Sequence, residues 1–163
     1  MTKHNLMLSD EQNSRIAPKL RYARIAAAGM IFIIAVLIPV MCQIANWRFS
    51  TETPKMLTLI AAFASLMMFT MSIAVPFIFS GNPANKLSGD AAVDSALGLF
   101  MSETFIQLAL ILGAALMNLV VFSVEYHVAS LVLVGIAVLL MLVCFPRSSK
   151  ARKVIHNKLG QRE

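Results

Sequence analysis

The sequence predicts an all-α membrane fold: a bundle of four transmembrane helices in two antiparallel hairpins, with both termini cytoplasmic. Three observations predict it. Apolar residues make up 58% of the 163 and charged residues only 13%, against about 45–50% and about 25% in soluble domains, and mean hydropathy is +0.76. Four apolar stretches, 25–45, 56–79, 100–124 and 128–145, are separated by short polar connections. Without water, such segments satisfy their backbone groups as helices. Finally, the cations are sorted by side. Lys3, Arg15, Lys19, Arg21 and Arg24 precede the first stretch and Arg147, Lys150, Arg152, Lys153, Lys158 and Arg162 follow the last. Lys86 lies in the second connection, whereas the first holds Arg48 and Lys55 and the third none. Cytoplasmic segments of membrane proteins carry such an excess. The formal charge of +6 therefore points to the membrane surface and not to nucleic acid.

Residues 1–24 form a polar, basic segment in which Ser9, Asp10 and Glu11 could cap a short surface helix. A cleaved signal peptide fits poorly, because an apolar core of about 20 residues exceeds the usual 7–15; the stretch reads as an uncleaved anchor. The first span, 25–45, is long enough at about 1.5 Å per residue to cross a core of about 30 Å. Ala26, Ala27, Ala28 and Gly29 thin its inner end, Pro39 is expected to kink it, and Trp47 marks the outer interface. Cys42 and Cys144 fall toward opposite faces, too far apart to bridge.

The second span, 56–79, carries Met67, Met68 and Met71. No His or Cys joins them at ligand spacing, so they read as apolar filler and not as a copper path. The run SGNPANKLSGD, 80–90, is a loop by its Gly, Pro and Asn content, and Asp90 is placed to cap the third helix. Residues 123–127 leave only a tight link to the fourth span, 128–145, which Pro146 stops. The tail 146–163 is a basic amphipathic segment, with Lys150, Arg152 and Lys153 expected on anionic lipid.

The third span holds the polar residues that lipid disfavours. Glu103, Gln107, Asn118 and Glu125 are spaced by 4, 11 and 7 residues, which at about 100° per residue puts them within about 60° on one helical face. Ala109, Gly113 and Ala114 supply small residues for close helix approach. Glu103 is expected near the cytoplasmic edge, hydrated or paired with a cation such as Arg24. Gln107 and Asn118 are expected to bond across helices. Glu125, Tyr126 and His127 read as a solvated turn. Few polar groups on the other spans (Gln43, Thr58, Ser65, Thr70, Ser72, Ser130) could join a wide polar channel.

The run GAALMNLVVFSVE, 113–125, with LLMLVCFP ending at Pro146 and a basic tail, resembles a family of small uncharacterised integral membrane proteins of planctomycete bacteria. Gly113, Ala114, Ala115, Asn118, Glu125, Phe145 and Pro146 carry the likeness, over about the last third of the chain. Leu112 stands where that family often has an acid, and Leu116 and Met117 where it has an aromatic pair. The resemblance implies no activity. A rotary-ATPase proteolipid would be Gly-rich, and this chain has 7 Gly.

No phosphate loop, nucleophile elbow, CxxC or HExxH is present. The expected function is thus non-enzymatic and without cofactor: a bacterial inner-membrane accessory or scaffold subunit, or a homo-oligomer, acting through helix contacts. The alternative is a small transporter or ion-conducting oligomer using Glu103, Gln107 and Asn118.

Overall fold

The structure is a computed structural model that describes residues 10–80 and 90–147, with side chains placed for 17–78 and 94–147. The described residues form four helices, α1 (Asp10–Ile44), α2 (Met56–Ser80), α3 (Asp90–Glu125) and α4 (Val128–Cys144), and no strand beyond one isolated bridge between Ser50 and His127. Three contain segments long and apolar enough to cross a membrane: Ala17–Ile44, Met56–Ile78 and Asp94–Glu125. The fourth is equally apolar but shorter. Its 17 residues span about 25 Å at 1.5 Å each.

α1 runs further back than the apolar stretch, to Asp10, and takes Pro18 and Pro39 within it. It ends where Asn46 turns left-handed, φ 48°. The Trp47 N–H donates to the Cys42 carbonyl and the Asn46 N–H to that of Gln43, the bond pair of a Schellman cap. Asn tolerates that backbone better than most residues because its short polar side chain bonds locally.

α3 is the hub. Of eleven buried residues in the main apolar core, it supplies Leu108, Ile111, Ala114, Ala115 and Leu119; Ala27 and Ile34 come from α1, Phe69 from α2, and Val134, Ala137 and Met141 from α4. Apolar surface lies on both sides of any helix in lipid, so close fit, more than water exclusion, holds such a core together. The alanines serve that fit by bringing backbones close.

The ends are tied by polar groups. Lys19 Nζ meets Asp94 Oδ1 at 2.8 Å, linking α1 to α3, and Arg24 Nε donates to the Pro146 carbonyl beyond α4 at 3.1 Å. Cys42 is buried, Cys144 half-buried, and they form no disulfide. The loop 80–90 lies mostly outside the described residues, and the tail with Lys150, Arg152 and Lys153 lies wholly outside them.

Candidate functional site

The inner face of α2 carries small hydroxyl residues in a heptad: Thr58, Ser65 and Ser72 are 2%, 0% and 3% exposed. A seven-residue spacing keeps all three on the seam facing a neighbouring helix. α3 presents its polar stripe to them. The Gln107 amide donates to the Ser72 carbonyl at 2.9 Å, the Asn118 amide donates to Ser65 Oγ and to its own Ala114 carbonyl at 2.8 Å, and Glu125 meets Thr58. Each pair is separated from its neighbours by packed apolar residues, so the seam is a series of closed contacts.

Glu125 stays partly exposed at the turn and has a bonding role that the solvated-turn expectation did not include. Its carboxylate accepts the Thr58 hydroxyl at 2.6 Å, the Thr58 N–H at 3.0 Å and the Leu57 N–H at 3.2 Å. The first turn of any helix has unpaired N–H groups and a partial positive charge. α2 has no acid of its own there, and a residue 67 positions away supplies one. The sequence signal was the missing cap before Met56.

His127 likewise acts as a fastener. Its Nδ1 accepts the Ala129 N–H at 3.1 Å and so caps α4, while Nε2 lies 2.8 Å from the Glu52 carbonyl. An accepting Nδ1 and a carbonyl at Nε2 fit only the neutral ring protonated on Nε2. Beside it the Ser50 N–H donates to the Tyr126 carbonyl at 2.7 Å and the Val128 N–H to the Ser50 carbonyl at 3.1 Å. The turn therefore stitches the first connection onto the start of α4. Phe49 adds ring contact with Phe122 at 6.0 Å and with Trp47 at 6.4 Å.

Of the remaining expected residues, Ala114 joins these through its carbonyl. Glu103 is partly buried, and Arg24, expected beside it, makes its described bond to Pro146. Ala114 is fully buried, whereas Ala109 is exposed and Gly113 half-exposed; a Cβ at Gly113 would meet Met68 Sδ at 3.8 Å. Met68 packs on the core, and Met67 and Met71 point outward, 52% and 59% exposed. Among the described residues no group of three His, Cys, Asp or Glu could hold a metal.

Two buried polar atoms have no partner among the described residues, Asn118 Oδ1 and Ser130 Oγ. Comparison with family models, curated proteins and solved structures returned no match.

Proposed function

We propose that the chain is a non-enzymatic four-span membrane protein with both termini on the cytoplasmic side of a bacterial inner membrane, in which α1, α2 and α4 pack on α3 and not as the two separate hairpins the sequence suggested. It works through helix packing, as an accessory or scaffold subunit or as a homo-oligomer. Kinship with the small planctomycete membrane proteins, and anionic lipid at Lys150, Arg152 and Lys153, belong to the same proposal.

The observation that carries the reading is how the polar groups of α3 are spent. Gln107, Asn118 and Glu125 each bond to α2, and groups that fasten the bundle are not presented to a substrate. The outward surface is apolar, with Phe32, Phe63, Leu66 and Ile73 all exposed. Ala109 and Gly113 open a shallow groove of about 270 Å³ with Met68, Ile106 and Leu110. Small residues at such a place let another transmembrane helix approach closely.

Cross-linking in native membranes, followed by native mass spectrometry in mild detergent, tests this. A defined oligomer or a stoichiometric membrane-protein partner is expected; a strictly lone chain overturns it.

One observation favours a second reading, transport through an oligomer using Glu103, Gln107 and Asn118. Asn118 Oδ1 and Ser130 Oγ are buried acceptors with capacity to spare. Under that reading liposomes show a flux that Glu103→Gln reduces; no flux from wild type removes it.

A further inference from the structure

Resting on the membrane-spanning reading, we propose that α1 carries a binding site for the phosphate headgroup of an anionic phospholipid, formed by Arg21 and Tyr22. The three cations of α1 with placed side chains are used differently. Lys19 is held by Asp94 and Arg24 by the Pro146 carbonyl, both toward the bundle. Arg21 is exposed and has no partner among the described residues. With Ala17, Pro18, Tyr22 and Ile25 it lines a broad, open depression on the surface of α1.

The chemistry of the depression selects the ligand. A guanidinium offers paired donors that match phosphate oxygens. Tyr22 is 73% exposed, and tyrosine prefers the headgroup level, where its hydroxyl reaches water or phosphate and its ring lies on apolar chain. An aqueous anion would need only the polar half of this arrangement.

The surface beyond the depression is what a lipid adds. Pro18, Arg21, Tyr22, Ile25, Gly29, Phe32 and Val36 fall within about 100° of one another at about 100° per residue, so they share one face of the helix. All seven are exposed. A Cβ at Gly29 would meet nothing within 4 Å, so the face dips between Ile25 and Phe32. From Arg21 to Val36 the track runs about 22 Å at 1.5 Å per residue, more than the roughly 15 Å of one leaflet's hydrocarbon. A headgroup held at Arg21 thus lays its acyl chains along an apolar strip of sufficient length.

The test uses the full chain in phosphatidylcholine vesicles containing a minor fraction of phosphatidylglycerol. The protein is re-extracted in mild detergent and the phosphatidylglycerol retained per chain is counted by native mass spectrometry. Arg21→Gln is expected to retain about fivefold less than wild type, Tyr22→Phe to lose a smaller share, and Arg48→Gln, beyond the other end of α1, to match wild type. Equal retention by Arg21→Gln and wild type overturns the site. So does stabilisation of wild type by inorganic phosphate alone that Arg21→Gln abolishes, because that assigns the depression to a free anion. Carbonate extraction and far-UV circular dichroism of the same vesicles separate the two ideas. Inserted, helical proteins with equal retention sink the lipid site alone, whereas a wild type that does not insert sinks the membrane reading and the site with it.

Discussion

Glu125 closes the first turn of α2 from the far end of another helix, its carboxylate 2.6 Å from the Thr58 hydroxyl. The placement costs α3 something, because a negative charge at a helix C-terminus opposes that helix's dipole. At the N-terminus of α2 the same charge is favourable and also answers two unpaired N–H groups. One carboxylate therefore fastens the ends of two helices whose register Asn118 and Gln107 also fix further along.

Glu125→Gln is expected to weaken the α2 N-terminus and Glu125→Ala to weaken it more. Hydrogen exchange should speed up first at Leu57 and Thr58, with a lower thermal midpoint in detergent. Thr58→Val should be less than additive with Glu125→Ala, because residues in one hydrogen-bonded network couple. Unchanged exchange at those two amides would count against the cap.

Asn118→Ala removes the bond to Ser65 and is expected to cost about 0.6 kcal/mol, the average for such bonds between membrane helices, and no more than about 1.7, the largest. Ser65→Ala should cost less, and the double variant little more than Asn118→Ala. Reversible unfolding in mixed micelles measures all three. A fully additive double variant would show that the two residues do not work as a pair.

His127→Ala should destabilise the start of α4 by about 0.5–2 kcal/mol, the usual cost of losing an N-cap. His127→Asn, which keeps a side-chain acceptor, should recover most of it. Nitrogen-15 NMR of the wild-type ring should show the Nε2-protonated tautomer. The opposite tautomer would contradict the bond from Ala129.

Gly113→Ala places a methyl group at ordinary contact from Met68, so the bundle should fold as well as wild type, or better by up to about 1 kcal/mol from helix propensity. Gly113→Leu should fill the groove beside Ala109 and reduce cross-linked oligomer or partner yield while helix content stays constant. Undiminished cross-linking would move the interface elsewhere.

At the end of α1, Asn46→Gly should be neutral or mildly stabilising and Asn46→Val destabilising by about 1–2 kcal/mol, because left-handed backbone crowds a Cβ. Thermal melts of the two variants in the same detergent decide it.

Hydropathy alone delimited two helices closely: the apolar stretch at 128–145 became a helix over Val128–Cys144, and that at 56–79 one over Met56–Ser80, whereas α1 and α3 extend well before their apolar stretches, to Asp10 and Asp90. The polar stripe could also be read, since a fixed 100° per residue puts Gln107, Asn118 and Glu125 on one face wherever that face points. Those facts are local, and the chain states them outright because bonding within each segment needs no partner.

What only the tertiary structure decided is the other half of each pair. Thr58, Ser65 and Ser72 look like scattered hydroxyls until α2 lies along α3, and Glu125 looks like a turn residue until the uncapped start of α2 is beside it. Arg24 was open to a carboxylate on sequence grounds and instead bonds the Pro146 carbonyl just beyond α4. Hydrogen bonds between helices depend on rotation and offset, and those are set by how alanines and larger side chains interlock along the whole length of the bundle. No window of sequence contains that sum.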